Sequence, residues 1–170
     1  MNNKNKTKRR DFLFTATYTI GAVGLASAIW PLVDQMNPDS SVKAASTTEV
    51  DVSGVKAGKS ITVLWRGKPI FIKRRTTKEI DEAKNVDLKD LKDPQKDSDR
   101  AKNPEWLVMV GVCTHLGCVP LGDKGDYKGW FCPCHGSHYD SSGRIRKGPA
   151  PKNLEIPKYE FVNNNTIKIG

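Results

Sequence analysis

The chain has 170 residues, enough for one ordinary domain with additions, and its formal net charge is +9. Its four cysteines and three histidines all lie within residues 113–138, whereas cysteine used as a small apolar core residue would be scattered. The positive charge serves solubility or attracts an acidic partner. It does not favour nucleic acid, because no basic helix or aromatic platform accompanies it.

The N-terminal region predicts a membrane anchor. Residues 1–11 are basic, and residues 12–33 carry no charge. A helix of that second stretch would be about 33 Å long, and the hydrocarbon core of a bilayer is about 30 Å thick. We therefore predict one transmembrane helix over residues 12–33, with the basic segment in the cytoplasm. Ala26-Ser27-Ala28 matches a signal-cleavage pattern, but the apolar stretch continues beyond it, so we expect an uncleaved anchor.

The basic segment also contains Lys8-Arg9-Arg10-Asp11-Phe12-Leu13. This run resembles a twin-arginine export signal, an address read by a receptor. The resemblance implies export of a folded, cofactor-loaded protein. The alternative is an ordinary positive flank of a membrane helix.

A linker and a β-rich domain follow. Residues 34–48 are small and polar, with Ala44, Ala45 and Ser46, which is the composition of a flexible linker. In the remaining domain, residues 49–170, short apolar stretches and turn residues predict strands at 59–65, 69–72, 105–112, 158–162 and 166–169. The first two flank an Arg66-Gly67-Lys68 turn and the last two flank three asparagines. Short strands between such turns predict a mainly β, antiparallel fold.

Residues 76–104 differ from their surroundings. Charges of both signs alternate densely, and apolar residues are few. We predict a solvated surface insertion with one or two short helices.

Two short boxes concentrate the reactive side chains. The first is Cys113-Thr114-His115-Leu116-Gly117-Cys118, and the second is Cys132-Pro133-Cys134-His135-Gly136-Ser137. Their spacing differs from the usual C-x₂₋₄-C and H-x₃₋₅-H of a zinc site. Six candidate ligands also exceed what one tetrahedral ion needs, so a structural zinc module is the weakest interpretation.

The boxes resemble those of Rieske proteins, in which two histidines replace two cysteines on one iron of a 2Fe–2S cluster. With the anchor, linker and insertion, nearly the whole chain is similar to the Rieske subunit of the quinol–cytochrome c reductase, or cytochrome bc, complex. The resemblance implies an antiparallel β-sandwich with a small cluster-binding subdomain at about residues 111–152. It also implies one 2Fe–2S cluster.

The resemblance assigns roles to individual residues. Cys113 and Cys132 would bind the buried iron, and His115 and His135 the outer one. Cys118 and Cys134 would form a disulfide between the boxes, which an oxidising compartment permits.

Further roles follow from the same resemblance. The hydroxyls of Ser137 and Tyr139 would hydrogen-bond cluster sulfur, Leu116 would shield the cluster from water, and Gly148-Pro149-Ala150-Pro151 would form a covering proline loop. His138 fits no ligand position and is expected at the surface.

The implied function is electron transfer from ubiquinol to a c-type cytochrome in a respiratory, proton-translocating oxidoreductase that also contains cytochrome b. One electron would be taken while a ligand histidine, His115 or His135, takes a proton. The subunit would not be active alone. It would belong to a dimeric complex in a bacterial inner membrane, with the Rieske domain periplasmic.

Two alternatives are a Rieske small subunit of a periplasmic oxidase such as arsenite oxidase, and a Rieske ferredoxin or oxygenase component. The ferredoxin and oxygenase proteins commonly lack the anchor and the second cysteine pair. The oxidase subunit would not be expected to need the insertion.

Overall fold

The computed structural model describes residues 3–39, 42 and 46–170. The chain divides into two units, Met1–Ala44 and Ala45–Gly170. Ala44 and Ala45, which belong to the predicted linker, lie outside the described residues.

Helix α1, Asn3–Asp34, forms the first unit. Its stretch Lys8–Asp34 has a mean hydropathy of 1.6 and is long and apolar enough to cross a membrane. The hydroxyls of Thr15, Thr19 and Ser27 donate to backbone carbonyls one turn earlier in the helix. These polar groups are therefore satisfied inside the helix without water. The structure thus confirms the predicted N-terminal apolar helix as a candidate membrane span.

Three antiparallel sheets build the second unit. Their strand orders are β1-β10-β9, β2-β3-β4 and β5-β6-β7-β8. The strands are β1 Thr48–Asp51, β2 Ser60–Trp65, β3 Lys68–Arg74, β4 Trp106–Val110, β5 Leu121–Lys124, β6 Gly129–Cys132, β7 Ser137–Tyr139, β8 Ile145–Lys147, β9 Tyr159–Asn163 and β10 Thr166–Ile169. The mainly β, antiparallel fold predicted from the sequence is confirmed.

In the sheet β2-β3-β4, strands β3 and β4 are buried on both faces. Ile70 and Ile72 of β3 join side chains of β1, β9 and β10 in one apolar core. The intervening Phe71 points the other way, as strand geometry requires, into a second core with Trp130 of β6. The Phe71 and Trp130 rings stack with their centroids 6.1 Å apart. The sheets β1-β10-β9 and β2-β3-β4 therefore form a sandwich. The sheet β5–β8 packs on the other face of β2-β3-β4 as a small subdomain.

Both predicted hairpins are present. Strands β2 and β3 are joined by Arg66 and Gly67, which have φ values of 50° and 72°. A two-residue turn with positive φ at both positions matches the twist of the strands, and glycine tolerates such φ values readily. The strand predicted at 105–112 is observed as Trp106–Val110.

For residues 76–104 the prediction of short helices is correct, and the prediction of a solvated surface segment is wrong. Its short helices are present: α2, Thr77–Lys84, begins with a capping box between Thr76 and Glu79, and two 3₁₀ turns follow at Leu88–Asp90 and Asp97–Asp99. The segment is not simply solvated, however. Its buried residues are Ala83, Leu91, Asp97, Arg100 and Ala101.

Charged residues of this insertion are buried because each finds partners in other segments. Arg75 forms two hydrogen bonds to the Asp97 carboxylate, at 2.5 and 3.2 Å, and Asp97 also accepts a bond from the Ser142 hydroxyl. Arg100 donates to the carbonyls of Ser142 and Leu154 at 2.7 Å. Burial lowers the pKa of Arg100 to about 10, so the side chain stays cationic at neutral pH. The insertion thus packs against the subdomain through paired charges.

Candidate metal centre

The first box forms a tight loop directly after β4. The amide of Cys113 donates to the carbonyl of Cys118 at 2.7 Å, and the amide of Gly117 donates back to the carbonyl of Cys113 at 3.0 Å. Gly117 has a φ of 85°, a conformation that strongly favours glycine. The Cys113 thiol is buried, which points it into the subdomain.

The second box forms an equivalent loop between β6 and β7. The amide of Gly136 donates to the carbonyl of Cys132 at 3.0 Å, and Gly136 has a φ of 72°. Cys132 pairs with Ser137 across the two strands. The Cys132 thiol is also buried. The two boxes therefore use the same turn, which closes on a cysteine at one end and a glycine at the other.

A disulfide joins the two loops. Cys118 and Cys134 are bonded, as predicted, and Cys113 and Cys132 are left as free thiols. The sulfur atoms of Cys118, Cys132 and Cys134 lie within 4.8 Å of one another. Two of the three are committed to the disulfide, so only Cys132 in this group can offer a thiolate to a metal.

The two histidines of the boxes lie side by side. The ring centroids of His115 and His135 are 4.6 Å apart, with the rings nearly perpendicular. The Nδ1 atom of His115 is buried and has no hydrogen-bond partner, and no other buried side-chain nitrogen or oxygen among the described residues lacks one. Such an atom normally has a partner, so this nitrogen is placed as a ligand atom for a metal.

This donor set fits a 2Fe–2S cluster. Two buried free thiols, two adjacent imidazoles and one unsatisfied imidazole nitrogen are what a mixed cysteine–histidine cluster uses. Burial, and the neighbouring Cys113 thiol, raise the pKa of the Cys132 thiol. Binding iron would release that proton, because the thiolate is the ligand form.

The Tyr139 hydroxyl lies against the first loop. It is 3.2 Å from the Cys113 sulfur, and it accepts a bond from the Thr114 amide at 3.3 Å. Burial of the phenol, together with its bond to Cys113, raises the pKa of Tyr139 well above its usual value. The hydroxyl therefore keeps its proton and can donate a hydrogen bond to sulfur.

The Ser137 hydroxyl is buried beside the second loop and the proline loop, residues 148–151. Its oxygen accepts a hydrogen bond from the Ala150 amide at 3.2 Å. The proline loop approaches so closely that a Cβ atom on Gly148, whose φ is 98°, would lie 2.3 Å from the Gly136 carbonyl oxygen. Glycine at position 148 is therefore required by the contact between the two loops.

The tip of the subdomain is exposed and apolar. Leu116, predicted to shield the cluster, is 71% exposed, and Val119 and Leu121 are also exposed. His135 is exposed as well, whereas His115 is half-buried.

The prediction of a surface position for His138 is wrong. The His138 side chain is only 13% exposed. Its ring packs against Phe131 with 4.8 Å between centroids, and its Nδ1 accepts a bond from the Asp126 amide at 3.0 Å. His138 is a packed structural residue because the antiparallel pairing of β6 and β7 places it opposite Phe131.

One residue of the site escaped the sequence analysis. Thr114 donates from its hydroxyl to the Lys152 carbonyl at 2.6 Å, and its amide contacts Tyr139. It thereby links the first box to the chain just after the proline loop. Its position inside the box, between Cys113 and His115, was the only available signal.

Comparisons with known proteins agree with this geometry. Residues 1–39 match the family described as "Ubiquitinol-cytochrome C reductase Fe-S subunit TAT signal", and residues 37–160 match the Rieske [2Fe-2S] domain. A ubiquinol-cytochrome c reductase iron-sulfur subunit of Rhodospirillum rubrum is 58% identical, over 97% of this chain and 93% of the relative. The corresponding subunit of Rickettsia prowazekii is 54% identical, over 99% and 97%.

A solved structure titled "Hyperthermophilic respiratory Complex III" is similar as well. It has a TM-score of 0.55 and 31% identity, and the match covers 90% of this chain and 97% of that chain. The twin-arginine signal and the 2Fe–2S cofactor predicted from the sequence are thus confirmed by the family matches. The chain belongs to the family of Rieske iron–sulfur subunits of ubiquinol–cytochrome c reductase.

Proposed function

We propose that this protein takes one electron from ubiquinol and passes it to a c-type cytochrome, as the iron–sulfur subunit of a ubiquinol–cytochrome c reductase. The observation that carries the proposal is the buried Nδ1 of His115, which has no hydrogen-bond partner and lies beside His135. The two histidines belong to two loops that a disulfide joins, and each loop also holds a free thiol. The names of the relatives favour this function over a periplasmic oxidase subunit or a Rieske ferredoxin.

The four ligands in this proposal are Cys113 and Cys132 on one iron and His115 and His135 on the other. Burial of both thiols supports their assignment to the inner iron. When bound, the cluster accepts and releases one electron at a potential that histidine ligation raises. Tyr139 and Ser137 would donate hydrogen bonds to sulfur and so favour the reduced state.

His135 is the residue that meets the quinol hydroxyl in this proposal. Its ring is exposed, at a tip where Leu116, Val119 and Leu121 offer apolar contact. An exposed imidazole can accept a hydrogen bond from the hydroxyl and then its proton as the electron leaves. His115 is half-buried and would serve mainly as the second ligand.

The partners proposed are cytochrome b and a c-type cytochrome, in a dimeric complex. The relatives are named as iron-sulfur subunits of ubiquinol-cytochrome c reductase, which supports membership of such a complex. The twin-arginine match and the candidate span support a membrane-anchored chain. We further propose a bacterial inner membrane, with residues 1–11 cytoplasmic and residues 49–170 periplasmic, because positive flanks stay inside and disulfides persist outside.

Purification from native membranes tests this function. The protein should co-purify with cytochrome b and a c-type cytochrome, and the preparation should reduce cytochrome c with ubiquinol. The reduced subunit should give the low average g value, in electron paramagnetic resonance, of a mixed-ligand cluster. Isolation with an arsenite-oxidising activity and no cytochrome b would support the oxidase alternative instead.

A second test concerns head movement on the linker, residues 34–48. Prolines at Ala44 and Ala45 restrict φ and remove two amide donors, so they should stiffen the segment. We expect cytochrome c reduction in membranes to slow strongly while the cluster's spectrum and potential stay unchanged. Serines at the same two positions, which keep the segment small and flexible, should leave turnover near normal. Normal turnover in the double-proline variant would contradict head movement through this segment.

A further inference from the structure

The proline loop, residues 148–151, is held at both ends by the insertion. At its start, the Gly148 carbonyl accepts a hydrogen bond from the Lys92 ammonium group. Just beyond its end, the Asn153 amide donates to Oδ2 of Asp93 at 2.9 Å. Two adjacent residues of the insertion therefore fix the span of the loop.

Asn153 carries the second of these contacts into the subdomain. Its buried side chain accepts a bond from the Ile145 amide of β8 at 2.9 Å and donates to the Asp93 carbonyl at 3.0 Å. A carboxamide can accept and donate from one planar group. Asn153 thus links Asp93 to the strand that pairs with Tyr139, and the register of the loop depends on this link.

The middle of the loop reaches the Ser137 hydroxyl. The Ala150 amide donates to the Ser137 oxygen at 3.2 Å, in a buried position. A hydroxyl that accepts from an amide must direct its own proton away from that amide. The loop therefore determines where the Ser137 proton points.

We propose that Asp93 is a positioning residue for the iron–sulfur site: through Asn153 it holds the proline loop in register, and the Ala150 amide then directs the Ser137 hydroxyl toward the cluster. This inference rests on the function proposed above. It gives the insertion a role in setting the cluster's reduction potential, although no insertion residue need touch the cluster.

The sign of the potential shift tests this inference in the full-length chain in membranes. Asp93→Ala removes a negative charge, which alone would raise the potential. Loss of the Ser137 bond lowers it. We expect a fall equivalent to roughly a threefold to tenfold change in the equilibrium constant for reduction, about 30–59 mV for a one-electron couple.

Matched variants separate position from charge. Asp90→Ala removes the same charge from an exposed residue of the same insertion, and it should not lower the potential. Asp93→Asn keeps an acceptor oxygen for the Asn153 amide and should also not lower it. Asp93→Ser is neutral but too short to reach the amide, so it should reproduce the fall even if the alanine variant loses its cluster.

Double variants test the route through Ser137. In a Ser137→Ala background, the change at Asp93 should lower the potential no further, whereas in a Tyr139→Phe background the two falls should add. Hydrogen exchange of the Ala150 amide should also quicken in the Asp93→Ala and Asp93→Ser variants. An unchanged or raised potential in both variants, with a normal cluster signal in the unmodified protein, would overturn the inference while leaving the proposed function intact. Absence of that signal from the unmodified protein would overturn both.

Discussion

The two ligand loops have the same backbone and different surroundings. In each, a glycine with positive φ donates its amide, at 3.0 Å, to the carbonyl of the cysteine four residues earlier, Cys113 in one loop and Cys132 in the other. The histidine between them is half-buried in the first loop, as His115, and exposed in the second, as His135. The two histidines occupy different positions of that turn, because His115 is two residues after its cysteine and His135 is three, where the first loop has the exposed Leu116.

The packing around the two loops differs as well. The first loop packs against Tyr139, whose hydroxyl contacts the Cys113 sulfur. The second is a strand-to-strand connection covered by the proline loop, with the Ala150 amide on Ser137. One turn type thus presents two imidazoles, and the more exposed one occupies the fourth position of the turn. The motif therefore specifies both the ligand type and its access, while the neighbouring hydroxyls are placed to tune the site.

The largest expected effect is loss of a ligand. His135→Gln or Cys132→Ser should abolish the cluster, because three remaining ligands cannot complete two tetrahedral irons. Electron paramagnetic resonance of the reduced protein should then show no mixed-ligand signal. If His135 were not an iron ligand, the His135 variant would keep the full signal, and the ligand assignment would be wrong.

The remaining histidine provides the control for that experiment. His138 lies in the same hairpin but is packed against Phe131 and accepts a bond from the Asp126 amide. His138→Gln should keep the mixed-ligand signal, although the protein should lose some stability. A lost signal in this variant would mean that the two boxes do not contain the complete set of ligands.

Removing the disulfide between the two loops should have an intermediate effect on the cluster. A disulfide that closes a loop of about 15 residues contributes roughly 3 kcal/mol to stability, and Cys118 and Cys134 are separated by 16. The double variant Cys118→Ser, Cys134→Ser should assemble some cluster but lose it faster on standing. The decay of the visible and resonance signals measures this loss.

Peptide mapping of the unmodified protein without reductant is the companion measurement. It should recover Cys118 and Cys134 as one linked pair. Equal cluster lifetimes in the double variant and the unmodified protein would show that the disulfide does not hold the loops.

The smallest expected effects come from the two hydroxyls, one on each loop. Tyr139→Phe and Ser137→Ala should each lower the reduction potential and keep the cluster. A hydrogen bond to a charged group contributes about 1.5–3 kcal/mol, and roughly 1.4 kcal/mol corresponds to 59 mV for one electron. Each shift should therefore lie between tens of millivolts and about a hundred.

Tyr127→Phe serves as the control for these variants, because the Tyr127 ring contacts Arg146 and His138 rather than a ligand loop. Its potential should match that of the unmodified protein. Unchanged potentials in both hydroxyl variants would mean that neither hydroxyl reaches the cluster sulfur.

Features that depend on near neighbours along the chain could be predicted from the sequence. A contiguous pattern predicts each of three features: the two boxes, the Arg66–Gly67 turn and the apolar N-terminal helix. Strand β3 could be predicted as well, because its apolar run directly follows that turn. The disulfide between Cys118 and Cys134 was predicted through the family resemblance, and the structure contains it.

The burial of the charged insertion and of His138 depends on tertiary contacts instead. Asp97 and Arg100 look like surface residues in the sequence, yet they are buried because Arg75 and the carbonyls of Ser142 and Leu154 meet them. Burial of a charge is favourable only with partners in place. Those partners lie 22 to 54 residues away along the chain, so no local pattern could have identified them.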